Sequence, residues 1–271
     1  MEHLFSVWNN VAQQVRTARH ILLLADFDGT LTPLVESPDA ATLSPETRST
    51  LQSLAHQRGL TLGIISGRAL HDLKEKAGVS GIIYAGNHGL EIEGPGLRFV
   101  APLAEEFRPI LRLLHRVLSR GLDSIAGAKV EDKGLSLSVH YRQVEEGHAE
   151  RVGSIFEQAV AAARAAGKVR TTRGKKVLEV RPPVSWDKGK AVDMLMERFG
   201  HAGYRRQALP IFLGDDVTDE DAFRSVKKYG GISVYVGDDG TQSAAQYNLR
   251  SPDEVHEFLE RLLVQYRRRG R

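Results

Sequence analysis

The chain has 271 residues, 41% hydrophobic and 26% charged, which is enough to bury the core of one or two domains. It contains no cysteine, which excludes disulfides, thiolate metal ligands and a cysteine nucleophile. The net charge of +3 comes from one end: removing Arg267, Arg268, Arg269 and Arg271 leaves −1. We therefore expect no basic face for nucleic acid, and a solvated tail rather than a grip on an acidic partner.

The longest early apolar run, residues 21–25, is far too short to span a membrane. The first twenty residues carry charges and lack a cleavage pattern of small residues. We expect neither a membrane span nor a secretory signal, and hence a soluble cytoplasmic protein.

Short apolar runs that end in small or polar residues predict strands of a parallel sheet covered on both faces. There are three such runs: residues 21–25, 60–65 and 209–213. Between the first two, Ser44 is suited to cap a helix, Pro45 to its first turn and Gly59 to its end. A strand, a helix and a strand at this spacing predict a crossover unit.

The middle of the chain predicts a helix, two strands, a helix and two strands, typical of an antiparallel layer inserted into a parallel domain. The defined segments are a helix at 105–120 with Pro109 in its first turn, an alternating strand at 135–141, a helix at 145–166, and a hairpin of 169–172 with 176–180. Crossover character returns with helices from 187, after 219 and from 251, and strands at 209–213 and 232–236. We predict an α/β fold with one domain at 1–100 and 185–271 and a second at 101–184.

Asp26 and Asp28 stand where the first predicted strand ends, and ligands of open parallel sheets bind outside such ends. Gly29 permits a sharp turn that brings both carboxylates to one pocket. Two close acids repel, so that one stays ionised beside a cation while the other holds a proton. The pair therefore suits a carboxylate nucleophile beside a general acid. If the Asp-Gly pair stood alone, a capped loop would be the better explanation.

Five acidic residues in the seven positions 215–221 follow another core strand, a cluster that repels itself unless a cation binds or some members cap a helix. We predict that Asp215 holds a metal together with Asp26. We also predict that Asp216 and Asp219 orient these ligands without binding the metal themselves. Ligands that are all oxygen indicate a hard ion, Mg²⁺ before Mn²⁺.

Two further segments suit an anion. Ser66-Gly67-Arg68 offers a hydroxyl and amides near a helix start, and Lys188 begins another helix. Ser66 as an ordinary helix cap and Lys188 as a solvated surface charge are the alternatives.

Taken in the order of the chain (26–30, 66–68, 188 and 214–219), the motifs resemble the haloacid-dehalogenase superfamily of phosphotransferases. More closely, they resemble the trehalose-6-phosphate phosphatase family. The segments that carry the resemblance are Asp-Phe-Asp-Gly-Thr-Leu-Thr-Pro (26–33), Gly-Asn-His-Gly-Leu-Glu (86–91), residues 130–142, Glu-Val-Arg-Pro (179–182), Trp-Asp-Lys-Gly (186–189) and Gly-Asp-Asp-Val-Thr-Asp-Glu-Asp (214–221). The likeness extends from residue 22 to 236 without a departure at a motif position.

The resemblance implies a Rossmann-like core of the haloacid-dehalogenase type with an inserted α+β cap. It implies Asp26 as nucleophile, Asp28 as general acid and base, and Ser66 and Lys188 on phosphate oxygens. It implies Mg²⁺ held by Asp26, the Asp28 backbone carbonyl and Asp215. It further implies substrate-binding residues in the cap and the core: Arg68, Asn87, Glu131, Lys133, Arg142 and Glu179.

Periodicity alone favours an exposed strand edge for Glu131 and Lys133, and the resemblance reverses that interpretation. One of His140 and Tyr141 is expected to face the helices and the other the cleft, in an order that the sequence leaves open. His88 is expected to be a structural loop residue rather than a base.

The resemblance favours a Mg²⁺-dependent phosphatase of trehalose 6-phosphate, with the synthase of that sugar as a candidate partner. Two alternatives remain: a phosphatase of another sugar phosphate, such as sucrose 6-phosphate, and a non-catalytic sugar-phosphate sensor. Intact Asp26, Asp28, Lys188 and Asp215 argue against the sensor.

Overall fold

The computed structural model describes residues 1–35, 40–174, 176–200, 208–238 and 240–269. The chain divides into two compact units. Unit 1 comprises Met1–Phe99 and Trp186–Arg271, and unit 2 comprises Val100–Ser185. The sequence places these boundaries after residues 100 and 184.

The strands, numbered in chain order, are β1 (Glu2–His3), β2 (His20–Ala25), β3 (Leu60–Ile65), β4 (Ile83–Gly86), β5 (Glu91–Gly94), β6 (Leu97–Val100), β7 (Lys129–Asp132), β8 (Leu137–His140), β9 (Arg170–Gly174), β10 (Val177–Arg181), β11 (Ala208–Gly214), β12 (Ile232–Val236) and β13 (Tyr247–Leu249). The α-helices are α1 (Trp8–Thr17), α2 (Pro45–Ala55), α3 (Leu70–Ala77), α4 (Arg108–Leu122), α5 (Glu146–Ala165), α6 (Lys188–Gly200), α7 (Glu220–Lys228) and α8 (Pro252–Arg269).

Within the described residues, the strands of unit 1 form one sheet in the order β1-β13-β12-β11-β2-β3-β4-β5-β6. Across the sheet from β1 through β13, β12, β11, β2 and β3 to β4, each pair of neighbouring strands is parallel. Strand β4 pairs with β5 antiparallel. The register places Ala25 of β2 between Leu213 of β11 and Ile64 of β3. The carboxyl ends of β11, β2, β3 and β4 therefore meet at one edge of the sheet.

The two faces of this sheet are covered because alternate residues of a strand point to opposite sides. Ile21 and Leu23 of β2 belong to a cluster with side chains of α1, α2, α3 and α8, whereas Leu22 and Leu24 pack with side chains of α6 and α7. All four side chains are fully buried, and each contributes about 1.5–3 kcal/mol of apolar burial. This confirms the prediction of a parallel sheet covered on both faces.

The capping of α2 follows the sequence at one end only. The Ser44 hydroxyl accepts a hydrogen bond from the Thr47 amide at 3.1 Å, and Pro45 lies in the first turn, as predicted. The prediction for Gly59 is wrong: α2 ends at Ala55, and Gly59, with φ of +78°, forms the turn into β3. Its carbonyl there accepts a hydrogen bond from the Ile21 amide, so the left-handed residue joins two strands rather than ending a helix.

Unit 2 follows the predicted order of a helix, two strands, a helix and two strands, namely α4, β7, β8, α5, β9 and β10. Its sheet has the order β7-β8-β10-β9 and is antiparallel throughout. Leu137 and Val139 of β8 pack with α4 and α5 in the core of the unit. The strand is shorter than predicted, because Leu135 lies in a turn where its amide donates to the Lys133 carbonyl. The opposite face of this sheet is polar.

The arginines near the end of the chain are not all in a frayed tail. Helix α8 extends to Arg269, so the backbone of Arg267, Arg268 and Arg269 is helical. Arg271 lies outside the described residues. Across the described part of the chain, no helix combines the length and the apolar character that crossing a membrane requires.

Candidate active site

Polar residues follow the ends of neighbouring strands at one edge of the unit 1 sheet. Asp26 comes directly after β2, Ser66 after β3, Asn87 after β4 and Asp215 after β11. Lys188, the first residue of α6, joins them. Parallel pairing is what brings these residues together, since it aligns the carboxyl ends of the strands.

Lys188 is the only cation that the described residues place in contact with Asp26. Its Nζ lies 2.9 Å from Asp26 Oδ1 and 2.7 Å from Asp219 Oδ1. Lys188 is 1% exposed and Asp26 6%, so the alternative of a solvated surface lysine is wrong. Burial by itself opposes the charge of Lys188, but the two carboxylates raise its pKa above the ordinary value. The lysine is therefore a permanent positive charge inside the site.

Asp215 reaches the site because Gly29 has no side chain. A Cβ on Gly29 would lie 2.1 Å from Asp215 Oδ2, and the φ of +82° at Gly29 also favours glycine. The Thr30 hydroxyl donates a hydrogen bond to Asp215 Oδ1 at 3.1 Å. The turn after β2 thus holds the acid that follows β11.

Asp219 and Asp216, which the sequence groups together, have different positions. Asp219 is fully buried and accepts hydrogen bonds from the amides of Asp215 and Asp216 as well as from Lys188. Asp216 is exposed, and its carboxylate caps the short turn that begins at Val217. Asp219 therefore fixes both the lysine and the backbone that carries Asp215, whereas Asp216 acts on the local turn.

The carboxylates of Asp26, Asp215 and Asp219 each offer an oxygen within 4.8 Å of the others. Burial, together with the neighbouring acids, raises the pKa of Asp26 well above its usual range, although Lys188 opposes the shift. Burial and then the Asp219 charge raise the pKa of Asp215 to about 7. Fully ionised, three carboxylates and one ammonium leave two negative charges, which a divalent cation balances. The oxygen donors suit a hard cation, so the group can hold a metal ion.

Asp28 contacts Arg68, and its charge is one of those that raise the pKa of Asp26. Arg68 donates from Nε to Asp28 Oδ2 at 2.7 Å and from Nη2 to Asp28 Oδ1 at 2.6 Å. Its Nη1 donates to Asp72 Oδ2 at 2.7 Å, and its guanidinium lies over the Phe27 ring. The sequence predicts Arg68 as a substrate ligand and misses Asp72. Arg68 lies in the bend before α3 and Asp72 in the first turn of that helix, so helical spacing does not predict the pair.

Ser66 is buried and does not cap α3, which begins at Leu70, so the helix-cap alternative is wrong. Its hydroxyl accepts a hydrogen bond from the Arg68 amide at 3.2 Å, and its carbonyl accepts one from the His88 amide. The Asn87 amide donates to the Arg68 carbonyl, and its side chain donates to Glu91 at 2.7 Å. The turns after β3 and β4 therefore hold each other through their backbones.

His88 packs against this turn. A Cβ on Gly67 would lie 2.7 Å from His88 Cε1 and Nε2, so the imidazole occupies the space that glycine leaves. Both ring nitrogens are buried. The contact agrees with the expected structural role of His88.

The polar face of the unit 2 sheet gathers three predicted substrate residues. Lys133 Nζ lies 3.6 Å from Glu179 Oε1 and 4.0 Å from Glu131 Oε2. Lys133 is only 9% exposed, which excludes a freely solvated strand edge for its side chain. Arg142 is exposed in the turn beyond β8. The ambiguity of positions 140 and 141 is resolved, since Tyr141 packs against the core of the unit.

The sequence missed the side chains that surround Glu131 and Glu179 on this face. His140 Nε2 lies 2.8 Å from Glu131 Oε2. Glu179 is contacted by three further donors: Ser138 Oγ at 3.3 Å, Thr172 Oγ1 at 3.2 Å and Arg181 Nη2 at 3.1 Å. Cross-strand register explains the group, because Ser138 and Thr172 both pair with Glu179.

A sequence model of the family described as trehalose-phosphatase matches residues 24–253 of the chain. Among curated proteins, the chain is 37% identical over 269 residues to the probable trehalose-phosphate phosphatase 4 of Oryza sativa subsp. japonica. That alignment covers 98% of this chain and 71% of the rice protein.

Two solved structures resemble the chain. The C-terminal domain of C. albicans trehalose-6-phosphate phosphatase has a TM-score of 0.79 at 24% identity, covering 94% of this chain and 96% of that one. A haloacid dehalogenase-like hydrolase from Bacteroides thetaiotaomicron has a TM-score of 0.61 at 22% identity, covering 90% and 99%. Likeness at these identities shows the fold alone, and it confirms the predicted α/β class of the haloacid-dehalogenase type.

Proposed function

Because the chain belongs to the trehalose-phosphatase family, we propose that it hydrolyses trehalose 6-phosphate to trehalose and inorganic phosphate. One observation carries the proposal beyond family membership. Asp26 is buried at a strand end, and a buried lysine contacts both it and Asp219. A carboxylate so placed suits nucleophilic attack, because the ammonium balances charge next to the reacting group without blocking a second cation.

In the first step, a carboxylate oxygen of Asp26 forms a bond to phosphorus while the bond from phosphorus to the sugar oxygen breaks. Asp28 gives a proton to the departing sugar oxygen. In the second step, Asp28 takes a proton from water as the water oxygen attacks phosphorus and the bond to Asp26 breaks. The carboxylate of Asp26 is regenerated and phosphate leaves. Lys188 and the Ser66 hydroxyl hold phosphate oxygens.

Mg²⁺ is the proposed cation, since the donors are oxygens and the ionised group carries two excess negative charges. Asp26, Asp215 and the backbone carbonyl of Asp28 would hold it. Asp219 would support these ligands, since it accepts hydrogen bonds from the Asp215 amide and from Lys188. When bound, the ion supplies positive charge that offsets the charge of the transferring phosphoryl group. The lack of a Cβ at Gly29 supports this assignment, because it leaves Asp215 the room to reach the group.

Unit 2 is proposed to be the cap that sets substrate specificity. The proposed ligands of the sugar hydroxyls in unit 2 are Glu131, Lys133, Arg142 and Glu179. Asn87 and Arg68 of unit 1 are proposed substrate ligands as well. Charged and hydroxyl side chains on one sheet face suit a ligand rich in hydroxyls, because they offer both donors and acceptors. A substrate without those hydroxyls would leave buried polar groups unpaired.

The decisive experiment measures phosphate release from trehalose 6-phosphate, sucrose 6-phosphate and glucose 6-phosphate, each with Mg²⁺ and with a chelator. We expect turnover of trehalose 6-phosphate in the presence of Mg²⁺ and none in the presence of the chelator. With Mg²⁺, kcat/KM should be at least tenfold lower on the other two sugar phosphates. Equal rates on all three would contradict the substrate assignment. No turnover of any ester by a folded protein would favour the sensor.

We also propose that the protein is cytoplasmic and that it associates with the synthase of trehalose 6-phosphate. Fractionation of cells that express the full chain, followed by affinity purification, tests both. Absence of the synthase from the purified material would contradict the proposed association.

A further inference from the structure

Asp28 is held in place by two side chains, Arg68 and Asp72, that take no part in the proposed phosphoryl transfer itself. Arg68 places one nitrogen on each oxygen of Asp28, at 2.7 and 2.6 Å, in the two-pronged geometry that fixes a carboxylate plane. The guanidinium is itself buried and lies over the Phe27 ring, 5.5 Å from its centre. Arg68 can therefore set the orientation of Asp28.

Asp72 in turn sets the orientation of Arg68. It lies in the first turn of α3, and its Oδ2 accepts a hydrogen bond from Arg68 Nη1 at 2.7 Å. Its other oxygen lies 3.9 Å from Lys76 Nζ. Helix α3 therefore presents a fixed carboxylate to the one guanidinium nitrogen that does not contact Asp28.

We infer that Asp72 is a positioning residue: it holds Arg68 so that the fork of Arg68 aims Asp28 at the leaving-group oxygen. This rests on the proposed function, in which Asp28 delivers the proton. Delivery requires a defined position, since a displacement of about 1 Å can cost roughly 100-fold in rate. Asp72 does not touch substrate in this role and acts through Arg68 alone.

A series of substituted phenyl phosphates tests the inference without any sugar. p-Nitrophenolate leaves readily without a proton, whereas unsubstituted phenolate depends on the acid, and kcat/KM reports only steps up to release of the phenol. Asp72→Asn keeps the size of the side chain but weakens its hold on Arg68. We expect its kcat/KM to fall about tenfold more on phenyl phosphate than on p-nitrophenyl phosphate.

The matched control is Glu75→Gln, which removes the same charge from the exposed side of the same helix. It should keep the wild-type dependence on the leaving group. Asp72→Glu should recover part of the loss, and Arg68→Lys, which keeps the charge but lacks the fork, should reproduce it. The double variant Asp72→Asn with Arg68→Lys should be no worse than Arg68→Lys, because both act on Asp28 by one route.

Equal losses by Asp72→Asn on all phenyl phosphates, in an enzyme that still hydrolyses trehalose 6-phosphate, would overturn the inference and leave the proposed function standing. Additive losses in the double variant would overturn it as well. If Asp72→Asn does not fold, Asp72→Glu and Arg68→Lys carry the same test. A folded wild type without phosphatase activity would instead defeat the proposed function and the inference with it.

Discussion

Replacing Lys188 by Met removes the only ammonium that the described residues place between Asp26 and Asp219, at 2.9 and 2.7 Å. Met has a similar volume, so the change leaves little cavity and mainly deletes charge. Because Lys188 is 1% exposed, water does not replace it. The buried carboxylates then repel one another without compensation unless they take up protons.

Breaking a buried ion pair by removing one partner costs about 3–5 kcal/mol. The cost must depend on pH. Lys188 lowers the pKa of Asp26, Asp215 and Asp219, so these pKa values, already raised by burial, rise further without it. The folded variant therefore holds more protons than its unfolded state, and its stability falls as pH rises from about 4 towards the raised values. The gap to the wild type is therefore larger at pH 8 than at pH 5.

Differential scanning calorimetry at both pH values, with a chelator present, measures this gap. At pH 8 we expect the Tm of Lys188→Met to lie roughly 6–20 °C below that of the wild type, from about 2–4 °C per kcal/mol. Lys227→Met, the same substitution at an exposed position of α7, should shift Tm by no more than a degree or two. A loss of equal size at pH 5 and pH 8, or one no larger than that of Lys227→Met, would refute the electrostatic reasoning.

Four further outcomes are expected. Asp26→Asn should keep the Tm within a few degrees but abolish turnover, since an amide is a very poor nucleophile; steady-state turnover above a tenth of wild type would exclude covalent catalysis by this residue. Glu131→Ala should lower kcat/KM on trehalose 6-phosphate by at least tenfold and spare p-nitrophenyl phosphate, and equal losses would count against sugar binding by Glu131. The pKa of about 7 at Asp215 means that Mg²⁺ must displace a proton below neutrality, so its affinity by titration calorimetry should fall up to tenfold per pH unit from 7 to 5, and a constant Kd would contradict this. Gly29→Ala should weaken Mg²⁺ binding in the same titration, because the new methyl group would displace the Asp215 carboxylate; unchanged affinity would show that Asp215 is not a ligand.

The order of elements could be predicted from local pattern because it depends on residues close in the chain. The apolar run of β2, the Ser44 cap and the alternation of β8 follow from periodicity and capping. The prediction that Gly59 ends α2 failed because a glycine in the sequence indicates a turn but not which element the turn belongs to. Helix α2 ends at Ala55, and Gly59 forms the turn at the end of the connection that leads into β3.

Charge partners, by contrast, could not be predicted locally. Two readings of Lys188, a surface charge or a buried ion pair, suit the same local sequence, and burial beside Asp26 decides between them. Likewise, the packing of strands and helices decides that Arg68 binds Asp28 and Asp72. It also decides that His140, rather than Tyr141, lies on the polar face of the unit 2 sheet.

By itself, the sequence determined which chemical groups stand at strand ends, their order along the chain, and the family to which the chain belongs. Only the tertiary structure decided which of these groups neutralise one another. The reason is physical: periodicity and turn preference act over a few residues, whereas the energy of a buried charge depends on partners that parallel strand pairing brings from distant parts of the chain.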